Sequence, residues 1–228
     1  MRRHYKFWIY NYLSFLIPFG GVKRALLKWC GVVFHGRAHI GYNVKFSGDG
    51  EIVFDDGIYI AGNSHLNVSG VLHCGRQVLI SDGVSVSVGK DGRLLLGNDV
   101  KIGPSVICAG TGSIVLGDRS ECWHRSIIMA NGMSSVSIGH DCKIAHMVSL
   151  KTTTHEITPA GPCIGGDVVF KDIVIGAGSW LCAGVVVLPG VTIARKTLVA
   201  AGAVVTRDTR PCSLVAGVPA KEVRIYQE

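Results

Sequence analysis

The sequence predicts an all-β protein whose chain winds into a parallel β-helix, because apolar residues recur every six positions near the C-terminus. The repeat has an aliphatic residue at Ile175, Leu181, Val187, Ile193, Val199 and Val205, and a small or β-branched residue at Ser179, Val185, Val191, Thr197 and Ala203. A period of six fits neither the helical period of about 3.6 residues nor the alternation of one straight strand. It fits a short strand that turns a corner every six residues, with three faces to a coil. Each coil then buries its apolar side only by stacking on the next.

A longer spacing of similar segments extends this prediction towards the N-terminus. Successive positions are 20, 20, 22, 20 and 22 residues apart at Ile40, Ile60, Ile80, Ile102, Cys122 and Ile144. We interpret them as earlier coils with a few extra turn residues, seen as SGDG (47–50), GKDG (89–92) and GTG (110–112), which suit turns with positive φ. The 30 glycines follow from the number of corners. A β-sandwich is the alternative; it explains short strands and regular turns but not the six-residue step.

One elongated domain with two appendages is predicted for the 228 residues. We expect a basic, aromatic and helical N-terminal segment over 1–34, the β-helix over 35–210 with a loop at 151–172, and a C-terminal tail over 211–228. With 48% hydrophobic and 17% charged residues, the chain can bury a continuous core. The eight cysteines form no CxxC pair, and the N-terminus has no signal-peptide cleavage site. We therefore expect reduced thiols in a bacterial-type cytosol, with Cys122 facing inwards as a small hydrophobic residue.

Positive charge is concentrated at the N-terminus. No acidic residue precedes Asp49, whereas eight of the 23 basic residues do, which leaves 15 basic residues against 16 acidic ones in the remainder. The net charge of +7 therefore belongs to the N-terminal segment, and this distribution argues against nucleic-acid binding by the β-helix. Residues 5–19 are apolar and aromatic but interrupted by Pro18, and so too short for the ~20 residues that span a bilayer. Two interpretations of residues 1–30 stay open: peripheral contact with the inner face of a membrane, or a cap on the first coil.

A candidate site comes from the one long interruption of the repeat. Between Leu150 and Ile173 the hexads give way to KTTTHEITPAGPCIGGDVVFKD. A polar loop that leaves an otherwise regular β-helix is a costly irregularity unless it has a function. His155 is the only histidine in this loop, which makes it the first candidate for chemistry.

The sequence resembles the hexapeptide-repeat acyltransferases of the left-handed β-helix class, and in particular the sugar and polysaccharide O-acetyltransferases of the maltose and galactoside acetyltransferase type. The resemblance is strongest over 143–224 and weaker but still periodic over 39–141. Its most specific motifs are TTTH (152–155), the hexad that contains Trp180, PGVTI (189–193), AAGAVVTRD (200–208) and AGVPAKEVR (216–224). It implies left-handed coils, a homotrimer with active sites in the clefts between neighbouring chains, and acetyl-CoA lying along the C-terminal coils.

Site residues are carried over from this resemblance position by position. It implies that His155 is the general base that takes a proton from a sugar hydroxyl, and that the N–H of Ala183 stabilises the oxyanion. Ala201 matches a small residue beside the pantetheine arm, and Thr206 and Arg207 match other contacts to CoA. Within the C-terminal tail, Lys221 and Arg224 match the basic pair that meets the nucleotide phosphates. Transfer is direct in this family, so that no nucleophilic cysteine is needed.

The acceptor side departs from the pattern of simple sugar acetyltransferases. Met147 occupies the place of their acceptor-binding asparagine, which makes free maltose or a galactoside an improbable acceptor. His124 and His146 are 22 residues apart, one coil by the period above. We expect them to stack beside the loop that carries His155. They are either a pair that contacts the acceptor or two corner histidines exposed at a cleft between chains.

Metal catalysis is a further alternative to consider, because γ-class carbonic anhydrases share this fold and bind zinc through three histidines. The paired histidines of those enzymes have a five-residue step, whereas His140 and His146 are six apart, so no metal site is expected. Serine acetyltransferases share the C-terminal motifs but have a large helical N-terminal domain.

We predict an acetyl-CoA-dependent O-acetyltransferase that acts on a sugar in bacterial surface polysaccharide biosynthesis. An N-acyltransferase for a nucleotide-linked amino sugar and a noncatalytic structural β-helix remain as alternatives.

Overall fold

The computed structural model describes residues 2–17, 20–156, 158–159 and 166–226, and it describes the side chains of these residues except for 2, 3 and 15. Two helices come first, α1 (Arg2–Leu16) and α2 (Gly20–Trp29). The strands follow in chain order: β1 (Val33–Phe34), β2 (Ala38–Ile40), β3 (Lys45–Ser47), β4 (Glu51–Phe54), β5 (Ile58–Ile60), β6 (His65–Val68), β7 (Val71–Cys74), β8 (Leu79–Ile80), β9 (Ser85–Val88), β10 (Arg93–Leu96), β11 (Lys101–Ile102), β12 (Ile107–Gly110), β13 (Ser113–Leu116), β14 (Glu121–Cys122), β15 (Ile127–Met129), β16 (Ser135–Ile138), β17 (Lys143–Ile144), β18 (Ser149–Lys151), β19 (Thr153–His155), β20 (Val168–Phe170), β21 (Ile173–Ile175), β22 (Trp180–Leu181), β23 (Val186–Val187), β24 (Thr192–Ile193), β25 (Leu198–Val199), β26 (Val204–Val205), β27 (Ser213–Gly217) and β28 (Ala220–Ile225).

These strands form a parallel β-helix with three faces. Sheet A has the order β1-β4-β7-β10-β13-β16-β21-β24, sheet B runs β2-β5-β8-β11-β14-β17-β22-β25-β27-β28, and sheet C runs β3-β6-β9-β12-β15-β18-β23-β26. The chain visits A, B and C in turn, and it makes about nine such turns. The all-β solenoid predicted from the hexads is therefore confirmed.

The hexad positions lie inside the β-helix as predicted. All six aliphatic positions from Ile175 to Val205 are buried, and so are the five small or β-branched positions between them. The earlier positions form one ladder on sheet B, in which each pairs with the next from Ile40 through Cys122 to Ile144, and Ile144 then pairs with Leu181. Cys122 is fully buried, and this burial raises the pKa of its thiol well above the ordinary value.

Variation in coil length is confined to one of the three edges. At the edge between sheets A and B and at the edge between sheets B and C, a three-residue turn joins the inward residues in every coil, as between Ile40 and Val44. The edge between sheets C and A holds the extra residues that lengthen the period, including all three predicted glycine turns. Gly110 in one of them has φ +138°, and a Cβ there would lie 1.8 Å from the carbonyl oxygen of Ala130 in the next coil. The excursion that carries His155 is the largest insertion at this C–A edge.

The two helices lie over the open end of the first coil. Phe7 and Tyr10 of α1 and Leu27 of α2 are buried against it, and both α1 rings contact Phe46. The side chain of Asn11 donates to the carbonyl oxygen of Phe46 over 2.8 Å and accepts from its N–H over 3.0 Å, so the outer strand of sheet C is paired. Lys23 donates to the carbonyl oxygen of Gly41 beside sheet B over 2.7 Å, and burial lowers the pKa of this lysine. Neither helix in the described part of the chain is long and apolar enough to cross a membrane.

The ends of the β-helix differ slightly from the expected segment boundaries. Strand β1 already belongs to sheet A, with Val33 paired to Val53, so the first coil begins within the segment 1–34. At the other end, the tail over 211–228 continues sheet B: β27 pairs with β25 in parallel, and β28 returns antiparallel to β27. The tail therefore forms an ordered hairpin that extends the β-helix by one strand pair.

Candidate functional site

Four of the predicted site residues form one column on the edge between sheets B and C, which we call the B–C edge. His124, His146, Ala183 and Ala201 occupy the same turn position in four successive coils, after β14, β17, β22 and β25. Backbone hydrogen bonds set this register: Met147 N–H donates to the His124 carbonyl over 2.9 Å, Gly184 N–H to that of His146 over 2.9 Å, and Gly202 N–H to that of Ala183 over 2.8 Å. The predicted acceptor and donor positions are thus contiguous on one edge.

The two histidines stack as the spacing predicts. Their ring centroids are 4.7 Å apart in an edge-to-face arrangement, and both side chains are exposed. With Ser105, Arg125 and Met147 they line an open groove of about 360 Å³. Met147 has φ +56°, as do the matching turn residues Ser105 and Arg125 within a few degrees.

Sequence reasoning missed Arg125 as a groove residue, although the period marks it. Arg125 stands 22 residues before Met147, at the same turn position one coil earlier. Its side chain is exposed beside His124, and it forms no ion pair with a described residue. The groove therefore carries a cation next to two imidazoles.

The backbone N–H groups of Ala183 and Ala201 form no hydrogen bond with another described residue. In each turn the glycine that follows donates instead to a carbonyl of the previous coil. Both side chains are small. Two unpaired donors, one coil apart, are suited to the amide carbonyls and the thioester oxygen of an extended acyl donor.

His155 lies on a hairpin that leaves the C–A edge. β19 and β20 pair antiparallel, with His155 opposite Val168, and the His155 side chain is exposed. The tip of the predicted loop, residues 157 and 160–165, lies outside the described residues. The hairpin is anchored at its base, where Asn131 Nδ2 donates to Thr153 Oγ1 over 3.1 Å.

Further contacts hold the strands of the hairpin against the preceding coil. Lys171 N–H donates to the Thr152 carbonyl oxygen over 2.9 Å, and Ser134 Oγ donates to Thr152 Oγ1 over 2.7 Å. Phe170 packs on the turn before β16 so closely that a Cβ on Gly132 would lie 2.7 Å from its ring. His155 is therefore presented from a fixed base.

Thr206 and Arg207 also lie on the C–A edge, just after β26 and two coils beyond the start of the hairpin. Both side chains are exposed. The segment that follows is held to β24, because Asp208 Oδ1 accepts from Thr192 N–H over 2.7 Å and Thr209 N–H donates to the Thr192 carbonyl over 3.0 Å. These contacts position the two candidates on the same edge as His155.

Lys221 and Arg224 lie on β28, and both are exposed. Arg224 lies over the ring of Tyr226 at 5.4 Å. A paired contact supports this strand, in which Arg210 Nε and Nη2 each donate to a carboxylate oxygen of Glu222 over 2.9 Å. No sequence pattern predicts the Arg210–Glu222 pair, because it joins two segments that meet only in the folded hairpin.

The expectation that His155 lies beside His124 and His146 is not met within one chain. Between His146 and His155 the chain crosses sheet C in β18, so the histidine pair and the hairpin stand on different edges. Strand β18 pairs with β15 and β23 along its length and cannot bend back towards the pair. Within one chain the two sets of residues therefore stand at opposite ends of strand β18.

Candidate metal ligands are not grouped in the described residues. His140 and His146 lie on different edges, since the turn with His140 joins sheets A and B and the turn with His146 joins sheets B and C. His140 Nδ1 lies 2.6 Å from Asp141, and hydrogen bonds from Arg119 and His140 hold the pKa of Asp141 well below its usual range. Within the part of the chain that the structure describes, no three His, Cys, Asp or Glu side chains could together hold a metal ion.

Comparison with known proteins agrees with the fold and with the predicted family resemblance. Residues 172–207 match the family described as bacterial transferase hexapeptide (six repeats). The chain is 36% identical over 90 residues to galactoside O-acetyltransferase of Escherichia coli, which covers 40% of this chain and 44% of that protein. It is 38% identical over 93 residues to a provisionally assigned acetyltransferase of Schizosaccharomyces pombe, covering 39% of this chain and 42% of that protein. The matched segments thus span less than half of these relatives.

A solved structure extends the likeness in fold to most of the chain. The crystal structure of a polysialic acid O-acetyltransferase superposes with a TM-score of 0.61, covering 86% of this chain and 92% of that chain, at 20% sequence identity. The sequence-based resemblance to hexapeptide-repeat acetyltransferases is confirmed by these comparisons.

Proposed function

We propose that this protein is an acetyl-CoA-dependent O-acetyltransferase that acetylates a sugar hydroxyl in bacterial surface polysaccharide biosynthesis. The observation that carries the proposal is the column on the B–C edge, where two unpaired backbone donors continue directly into the exposed histidine pair. The likeness to galactoside O-acetyltransferase over the C-terminal coils supports the same class of reaction. Acetyl-CoA is a substrate in this scheme, and no resident metal is needed.

The proposed reaction is direct acyl transfer. The imidazole of His155 takes the proton of the acceptor hydroxyl while its oxygen attacks the thioester carbon. The N–H of Ala183 donates to the oxygen that becomes negative in the tetrahedral intermediate. The carbon–sulfur bond then breaks, the ester forms, and the proton on His155 passes to the CoA thiolate.

Donor binding is assigned to the last coils and the tail. The small side chain of Ala201 leaves room for the pantetheine arm, and Thr206 and Arg207 contact CoA from the C–A edge. Lys221 and Arg224 on β28 meet the nucleotide phosphates, for which their exposed cations are suited. His124, His146 and Met147 contact the acceptor in the groove.

The proposal includes a homotrimer, because that assembly would bring two different edges together. In a ring of three identical chains, each contact is between unlike surfaces of neighbouring molecules. The B–C edge of one chain can then face the C–A edge of the next, which places Ala183 and His155 of different chains in one cleft.

The test is release of CoA thiol from acetyl-CoA in the presence of a panel of acceptors. The panel should contain neutral and acidic oligosaccharides, nucleotide-linked amino sugars and lipid-linked sugar intermediates. Acceptor-dependent thiol release with ester formation on an oligosaccharide or lipid-linked sugar is expected. Amide formation on a nucleotide-linked amino sugar would identify the N-acyltransferase alternative, and failure to bind CoA would identify a noncatalytic β-helix.

A further inference from the structure

Helix α1 has an apolar stripe on each of two opposite faces. Phe7, Tyr10 and Ser14 follow one another at steps of three and four residues and are buried against the first coil. Tyr5, Trp8, Tyr12 and Leu16 follow at steps of three and four on the opposite face, since side chains so spaced lie one above the other. Capping the β-helix therefore uses only one side of α1.

The outer stripe, which we define as Tyr5, Trp8, Tyr12 and Leu16, is unusually exposed. Each of its four side chains is 64% or 65% exposed. The rings stack along the helix, with centroids 6.2 Å apart between Tyr5 and Trp8 and again between Trp8 and Tyr12. A surface helix normally turns its polar face to water, and a contiguous apolar patch on a soluble protein marks a surface that binds something.

The chemistry of the stripe and of its surroundings selects one class of partner. Tyrosine and tryptophan combine an apolar ring with a polar group, and they are enriched where protein meets the boundary between lipid headgroups and acyl chains. The first acidic residue is Asp49, and eight basic residues precede it. An apolar aromatic face set in a positively charged segment is complementary to an anionic lipid surface.

A groove at the end of the stripe adds a polar contact of the same kind. Tyr12 and Leu16 border an open groove of about 610 Å³ that is also lined by Asn11, Asn43 and Lys45. Lys45 is exposed and lines this groove together with the end of the apolar stripe, so it is available to a headgroup phosphate if the stripe enters the interface.

We propose that the outer stripe of α1 docks the protein on an anionic membrane surface. The helix lies parallel to the membrane plane, because its opposite face remains packed on the first coil. The aromatic rings enter the interface while exposed basic residues such as Lys28 of α2 and Lys45 of the first coil attract anionic headgroups. This inference does not depend on the proposed acetyl transfer, and its test uses no activity.

The experiment is flotation of the purified full-length protein with two kinds of vesicle, phosphatidylcholine alone and phosphatidylcholine mixed with phosphatidylglycerol. We expect flotation with the anionic vesicles at low salt and its loss at high salt. The double variant Trp8→Ser/Tyr12→Ser should lower partitioning by about tenfold or more, because two interfacial rings are lost. Tyr59→Ser is the matched control, since Tyr59 is an exposed ring on strand β5 of the β-helix. Its loss should leave flotation unchanged.

A charge reversal separates the electrostatic part of the interaction. Lys28→Glu on α2 should lower partitioning on anionic vesicles by at least about fivefold. Lys90→Glu, at the exposed turn between β9 and β10, should leave partitioning unchanged. All variants should keep the molecular mass and melting temperature of the parent. The proposal is overturned if the parent fails to float at low salt, or if the stripe variant floats as well as the parent. A lower oligomeric mass of the stripe variant would also overturn it, since the stripe would then be a contact between copies of the chain.

Discussion

At the scale of single residues, the proposed chemistry depends on His155. His155→Ala should slow transfer by about 10²–10⁴-fold, because removal of a general base typically has an effect of this size. Folding should not change, since the side chain is exposed and the hairpin is anchored at its base by other residues. Turnover on the acceptor, CoA binding and thermal melting together check the prediction. His65→Ala, a change of another exposed histidine on sheet C, should leave all three as in the parent, and near-normal turnover of His155→Ala would remove this residue from the mechanism.

Lys221 and Arg224 are expected to act on donor binding alone. Replacing both with alanine should raise the KM for acetyl-CoA, by roughly fivefold for each exposed contact with a phosphate, and should leave kcat nearly unchanged. The reason is that the nucleotide is remote from the thioester, so its contacts are equal in the ground and transition states. Added salt should reduce the difference. The control is the double variant Lys90→Ala/Arg93→Ala, at and just after the turn between β9 and β10. If the Lys221/Arg224 variant has an unaltered KM at low ionic strength, the tail is excluded from the donor site.

At the scale of elements, Asn11 makes the hydrogen bonds that join α1 to the first coil. Asn11→Ala removes two hydrogen bonds to the backbone of Phe46 and leaves a strand edge unpaired beneath a helix. We expect a loss of about 2–4 kcal/mol, since each bond contributes ~1 kcal/mol and the buried groups stay unsatisfied. Denaturant unfolding measures this loss. Tyr5→Ala in the outer stripe is the control and should change stability little; equal effects of the two variants would contradict the capping role of Asn11.

The strands could be predicted from the sequence because a local pattern determines them. Residues such as Ile175 and Ser179 can be assigned as inward-facing from the sequence alone. The reason is that every coil repeats the same environment and therefore the same six-residue pattern. The edge of the β-helix from which the His155 hairpin leaves could not be predicted in the same way. The hexads stop after Leu150 without showing which corner the insertion leaves, and neither the pairing of Thr153 with Phe170 nor the contact of Phe170 with Gly132 has a periodic signature. The contact between α1 and the first coil could not be predicted either, because Asn11 and Phe46 come together only in the folded chain.

At the scale of the whole molecule, the separation of the site residues on two edges makes a prediction about mixed assemblies. His155→Ala and Ala201→Trp should each inactivate the protein, the first by loss of the base and the second by filling the donor position. In a trimer that combines both kinds of chain, some clefts pair an intact B–C edge with an intact His155. Random mixing should then restore about a quarter of the parental activity, if each cleft draws its two halves from neighbouring chains. Reassembly of the two tagged variants after denaturation checks this, and a mixture as inactive as its components would place each site within a single chain.

The confinement of length variation to the C–A edge bears on how such a protein can diversify. Two edges keep a turn of constant length in every coil. The third edge already accommodates glycine turns and a whole hairpin without disturbing the inward positions on either side. Evolution can thus lengthen, shorten or replace the segment that presents His155 while the scaffold stays as it is. The same tolerance can be used in engineering: a peptide inserted between Lys90 and Asp91 should be displayed on an intact β-helix, on the edge from which the His155 hairpin leaves three coils further along.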